Sequence, residues 1–131
     1  MKRISFIIIA ILFVSVSYCQ TKQTDVIVKD TVNVYKLYPT KNIWTFIKLN
    51  TSNGQMNQVH FSLNDSEEQG EILLNVRRLA FGKNAVNGRF ELYPTENMYN
   101  FILLDKIDGR TWQVQWSFDI KNRGIIPISE Y

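Results

Sequence analysis

His60 is the only histidine and Cys19 the only cysteine in this chain of 131 residues, which narrows the chemistry available to it. A metal site would have to join His60 to Asp65, Glu67, Glu68 or Glu71. Their spacing matches neither the Cys/His sets that hold zinc nor a calcium-binding loop. Asp65, Glu67 and Glu68 read instead as solvated acids in a loop. Ser62 shares a strand face with His60, so the pair could begin a Ser-His-acid site. No G-x-S-x-G elbow or oxyanion-forming glycine pattern accompanies it. Glu91, Glu96, Asp105 and Asp119 could pair in space for glycoside cleavage, but nothing in their neighbourhoods marks them. No glycine-rich loop that cradles phosphate is present. Catalytic residues, metal ligands and cofactors are therefore not assigned.

The residues better suited to binding are polar and aromatic. Gln58, His60 and Ser62 alternate with apolar neighbours, as do Gln113, Gln115 and Ser117, so each set lines one side of a strand. Trp112 begins the second of these strands just after a turn and is the aromatic most expected to be exposed. Trp116, Phe61, Phe46 and Phe101 share parities with Val and Leu and are expected in the core. Gln58, His60, Ser62, Trp112, Gln113, Gln115 and Ser117 are thus the candidate ligand-binding residues.

These strands belong to an internal duplication. Shifted by 55 positions, Leu37-Tyr38-Pro39-Thr40 becomes Leu92-Tyr93-Pro94-Thr95. Asn42 meets Asn97, Phe46-Ile47 meets Phe101-Ile102, Gly54 meets Gly109, and Gln58-Val59 meets Gln113-Val114. Ser62 meets Ser117, and no gap is needed from Tyr35 to Asn64. Self-similarity of this kind marks repeated supersecondary units. His60 meets Gln115, so the repeat itself does not require an imidazole. The four acids Glu91, Glu96, Asp105 and Asp119 meet Lys36, Lys41, Asn50 and Asn64.

Each unit reads as strands. Val32 to Leu37 alternates and is expected to end at Pro39, because proline cannot donate to a ladder. Ile43 to Leu49 is apolar on both parities, which predicts a strand covered on both sides. Thr51-Ser52-Asn53-Gly54 and Ile107-Asp108-Gly109-Arg110 are hairpin turns, since Asn-Gly and Asp-Gly tolerate positive φ. Alternating third strands follow, and short fourth strands are expected at Gly70 to Leu74 and Gly124 to Ile128. Pro127 makes the last an edge. In the two Tyr-Pro-Thr corners, proline fixes a bend and Thr40 or Thr95 bonds local backbone together with Asn42 or Asn97.

The stretch Leu104-Asp105-Lys106-Ile107-Asp108-Gly109-Arg110-Thr111-Trp112 resembles an L-D-x-x-x-G-R-x-W hairpin of small exported bacterial proteins. The first copy departs from it, with Asn50, Gln55 and Asn57 in place of the acid, arginine and tryptophan. The resemblance implies β structure and carries no activity, ligand or catalytic residue.

The N-terminus has its own character. Lys2 and Arg3 precede the nearly unbroken apolar run Ile4 to Val16, and Ser17-Tyr18-Cys19 offers small residues at the positions a signal peptidase reads. Residues 1–19 are expected to be a signal peptide, the run being shorter than the ~20 residues of a spanning helix. Lipidation of Cys19 is a minor alternative, disfavoured by Tyr18. Cleavage leaves no cysteine, so core packing must supply the stability. The precursor carries 15 basic and 12 acidic residues, and losing Lys2 and Arg3 leaves 13 against 12. A near-neutral chain offers no electrostatic case for nucleic acid.

With 45% hydrophobic and 21% charged residues over its full length, the chain suits a single globular domain. We expect an all-β domain over 20–131, with repeat 1 at about 32–74, a connection at 75–88 and repeat 2 at about 89–128. Leu79, Ala80 and Phe81 are expected to tuck the connection against the core. A three- or four-stranded unit cannot bury both its faces, so two antiparallel meanders should form a sandwich or a small barrel. The leading functional expectation is an exported, non-enzymatic binding module in the periplasm or outside the cell, with an envelope protein or glycan as partner. It would have no membrane span after cleavage. The alternatives are a small secreted hydrolase and a homo-oligomeric subunit of a β assembly.

Overall fold

A computed structural model of the chain describes residues 33–64 and 69–129. The signal-peptide expectation for residues 1–19 and the loop acids Asp65, Glu67 and Glu68 fall outside them. The fold is all-β: two four-stranded antiparallel meander sheets, neither closed into a barrel. Sheet A comprises β1 (Tyr35–Pro39), β2 (Thr45–Asn50), β3 (Met56–His60) and β4 (Gly70–Asn75) in sequence order. Sheet B repeats it with β5 (Phe90–Pro94), β6 (Asn100–Asp105), β7 (Thr111–Gln115) and β8 (Gly124–Ile128). A shared core joins Ile47, Leu49 and Met56 of sheet A to Phe90, Leu92, Leu103, Trp112 and Val114 of sheet B.

Local chemistry explains the shared strand order. Each corner is closed the same way. Thr40 Oγ1 donates to the Asn42 and Thr45 carbonyls, and Thr95 Oγ1 to those of Asn97 and Asn100. Each β2–β3-type hairpin carries its glycine in the left-handed region, Gly54 at φ 79° and Gly109 at φ 75°. A side-chain oxygen caps each turn, with Asn50 Oδ1 accepting from the Ser52 N–H and Asp105 Oδ1 from the Ile107 N–H. β1 ends at Pro39 as expected, and its edge position lets proline close the strand without loss of an inward ladder bond. In the connection, Ala80 is buried and Leu79 packs on the core, but Phe81 is exposed, contrary to expectation. It directly precedes a short 3-10 turn (Gly82–Asn84) that contains no buried residue.

The two sheets turn opposite faces inward. Ile47 and Leu49 are fully buried, whereas their counterparts Ile102 and Leu104 lie on the outside of sheet B, half-buried. Phe90 and Leu92 are buried at 1% and 3% exposure, while Tyr35 and Leu37 in the same places of sheet A stand 59% and 56% exposed. Tyr38 is buried and Tyr93 exposed. The expectation that Phe46 and Phe61 are core residues like Phe101 and Trp116 fails for this reason: they are half-buried on the outer face of sheet A. Trp44 contacts Phe61 there at 5.3 Å between ring centres. For the same reason β2 is not enclosed on both sides.

The sheets are therefore stacked front to back, like two steps related by a translation. Two ion pairs record the stacking directly. Lys36 pairs with Glu91 at 2.9 Å and Lys41 with Glu96 at 3.7 Å, each residue touching its own counterpart 55 positions along. Edge strands keep the same order, with β4 beside β8.

Candidate functional site

The front-to-back packing scatters the seven candidate residues among four environments. Gln58 is completely buried on the inner face of sheet A, between Ile47 of β2 and Ile72 of β4 across the ladder. Neither polar atom of its amide meets a hydrogen-bonding partner among the described residues. Gln113 occupies the same place in sheet B but faces outward, with Nε2 3.3 Å from Asn100 Oδ1. Gln115 lies on that outer face opposite Asn100. Gln58 and Gln113 are thus not one row on one surface. A single row requires both copies to bury the same parity, and they bury opposite ones.

The serines do local structural work. Ser62 Oγ accepts from the Asn64 N–H at 3.0 Å and Ser117 Oγ from the Asp119 N–H at 3.1 Å. The kept Gln-x-x-x-Ser spacing therefore joins a strand residue to a turn cap. His60 ends β3 at the seam between the sheets, meeting Phe118 edge-on at 5.3 Å. Its Nδ1 lies 3.4 Å from Thr45 Oγ1. His60 and Phe118 line a shallow cleft with Gln69, Gly70, Glu71 and Ile72. Among the described residues, no group of three His, Cys, Asp or Glu side chains is placed to hold a metal ion.

Trp112 is buried at 6% exposure, opposite Leu103 and 6.3 Å from the Phe90 ring, not exposed as expected. The Arg110 guanidinium lies over its ring at 5.4 Å. This contact gives the L-D-x-x-x-G-R-x-W hairpin a structural meaning. Asp105 is fully buried and accepts from Arg89 Nε and Nη2 at 2.9 and 2.8 Å, from Arg110 Nη2 at 3.1 Å, and from the Ile107 and Asp108 N–H groups. Burial works against its charge. The bonds from Arg89, from the two backbone N–H groups and from Arg110 outweigh burial and hold the carboxyl below its ordinary range. The Arg89 guanidinium is in turn raised, mainly by its bond to Asp105. The acid of the motif thus staples the hairpin to the start of β5 through Arg89, and the motif's own arginine, Arg110, braces the hairpin from within.

The surfaces that sequence reasoning missed are the two outer sheet faces. On sheet A, Tyr35, Leu37 and Leu73 surround a paired polar centre of Lys48, Asn57 and Glu71. Glu71 accepts from Lys48 and Asn57, and these bonds hold its pKa below the ordinary value. On sheet B, Tyr93, Ile126 and Ile128 are exposed around Ile102, Leu104 and Gln113. The available signal was strand residues apolar on both parities. That pattern fits a doubly covered strand and, equally, a sheet whose outer side is apolar.

The chain matches no protein-family model, no curated protein and no solved structure. Among the described residues, no helix is long and apolar enough to cross a membrane.

Proposed function

We propose that this protein is an exported, non-enzymatic interaction module that works through its outer sheet faces. One observation carries the reading: large apolar side chains stand exposed on both faces. Tyr35, Leu37 and Leu73 range from 56% to 63% exposed on sheet A, and Tyr93, Ile126 and Ile128 from 45% to 60% on sheet B. Isolated apolar side chains on a surface are ordinary; several large ones sharing one sheet face, with hydrogen-bonding groups among them, are the composition of interaction sites. Lys48, Asn57 and Glu71 on one face and Gln113 and Gln115 on the other add directional partners. A flat apolar surface with a few hydrogen-bonding groups suits another protein or the apolar face of a glycan.

The test is capture from native envelope by the tagged, processed chain, compared with Leu37→Lys and Ile126→Lys. The reading expects a saturable envelope component that one or both substitutions release. Capture of an identical set by all three chains would refute the assignment to the faces.

A further inference from the structure

We propose that the outer faces bind each other, so that copies of this chain stack head to tail, front of one on back of the next. The inference rests on the interaction-module reading and names the partner as a second copy. The internal interface already shows how such a contact is made. There, one face of the repeat, carrying Tyr38, Ile47, Leu49 and Gln58, packs on the opposite face of the next repeat, carrying Phe90, Leu92, Phe101 and Val114. The outer face of sheet B is the first kind of face again, presenting Tyr93, Ile102, Leu104 and Gln113 at the matching places. The outer face of sheet A is the second kind, presenting Tyr35, Leu37, Phe46 and Val59. Two complementary faces thus stand at opposite ends of one molecule. A contact between them is heterologous and propagates instead of closing on itself as a two-fold dimer does.

Charge and backbone agree with that registration. Within the chain, Lys36 and Lys41 reach forward to Glu91 and Glu96. One repeat further, Lys36 and Lys41 of a second copy fall beside Glu91 and Glu96 of the first, acids that already pair within the chain with Lys36, Lys106 and Lys41 and that would then bridge lysines of both copies. Within the chain, the Phe90 N–H donates to the Thr51 carbonyl across the sheets. The same bond between copies runs from the Tyr35 N–H to the Lys106 carbonyl.

The contact between copies differs from the internal one at its centre. Leu103, Trp112 and Ile125 of sheet B are replaced in sheet A by Lys48, Asn57 and Glu71. Burying this paired polar centre costs more than burying its apolar counterparts, and no linker tethers the copies. The stack is therefore reversible and concentration-dependent. Gln113, unlike the buried Gln58, meets hydrogen-bonding groups across the contact.

The full sequence is expressed, and the processed protein is studied by sedimentation velocity from low micromolar to millimolar concentration. Leu37→Lys disables one face and Ile126→Lys the other; both positions are exposed, and an unchanged thermal unfolding curve verifies the fold. The proposal expects concentration-dependent association of the parent chain and at least ~100-fold weaker association of each variant alone. It expects an equimolar mixture of the two variants to form dimers holding one of each, because each supplies the face the other lacks. A parent chain that is monomeric throughout would overturn the proposal, as would a variant that still pairs with itself, which indicates a two-fold contact. Association that appears only after residues 20–32 are deleted would also overturn it, since the chain's own N-terminal segment would then be the occupant. A monomer that still captures an envelope component in a face-dependent way would overturn the stacking and leave the interaction reading standing. A monomer that captures nothing would remove both.

Discussion

Replacing Asp105 by Asn changes one atom and should remove much of the protein's stability. The carboxylate is fully buried and takes both forks of the Arg89 guanidinium at 2.8 and 2.9 Å. An amide in its place offers an NH2 group where Arg89 and Arg110 need an acceptor, and the buried Arg89 charge keeps only the half-exposed Asp108 as counter-charge. Breaking a buried pair from one side costs about 3–5 kcal/mol. Domains of this size hold only about 5–15 kcal/mol in total. With a urea dependence of about 2 kcal/mol per molar, the unfolding midpoint falls by roughly 2 M. Asp108→Asn is the matched control. Asp108 also pairs with Arg89 and Arg110, but its side chain is 46% exposed, so water replaces the lost charge and the cost stays below about 1 kcal/mol. Acidification gives an independent reading of the same pair. Because the folded-state pKa of Asp105 is depressed, its contribution is complete above the unfolded value near ~4 and lost as pH falls through the lower folded value. Stability of Asp105→Asn should therefore fall less steeply with acid than that of the parent. A shift of less than about 1 kcal/mol for Asp105→Asn would show that water reaches the pair and would refute the reasoning.

Two further predictions compare counterpart positions. Ile47→Ala, at a site with no exposure, should cost about 2–5 kcal/mol, and Ile102→Ala on the outer face about 1 kcal/mol, both read by urea unfolding of dilute protein. Equal costs would contradict the front-to-back packing. Gly109→Ala should cost about 1 kcal/mol, from its positive φ alone, since nothing lies within 4 Å of a new Cβ. Gly54→Ala places that atom 2.8 Å from Leu79 Cδ1, in the connection that packs on the core, and should cost about 2–4 kcal/mol by the same assay.

The strands, hairpin turns and corners were legible because their causes are local. Asn-Gly and Asp-Gly require a backbone that only a few residues tolerate, and the Tyr-Pro-Thr corners close on their own carbonyls within five residues. Pairing of successive strands then follows from short connections. What could not be read was which face each sheet buries. Alternation gives two faces per strand, and Phe46 and Ile47 are both apolar, so either parity could serve as core. The decision is made between sheets, at sites such as Leu103 against Lys48 and Trp112 against Asn57, where the copies diverge in sequence. Those divergent strand positions held the information: at Lys48 against Leu103 and Asn57 against Trp112 the apolar copy is buried and the polar copy lies on the outer face. Carrying the parity of β7 over to β3 instead places Gln58 outside, and the Asn57 counterpart makes Trp112 look tolerant of exposure. The serines were kept for turn geometry, which strand periodicity does not reveal.

Opposite faces turned inward by two copies of one sequence unit is the claim on which the rest depends, and cysteine accessibility tests it most directly. In a chain with Cys19 replaced by Ser, Leu37→Cys, Leu92→Cys, Gln58→Cys and Gln113→Cys are made one at a time, and their reaction with a thiol reagent is timed in dilute protein. The structure predicts fast reaction at positions 37 and 113 and strong protection at 92 and 58, although each protected site has a reactive counterpart 55 residues away. Equal reactivity within each counterpart pair would mean that both sheets bury the same face, and the front-to-back account would be wrong.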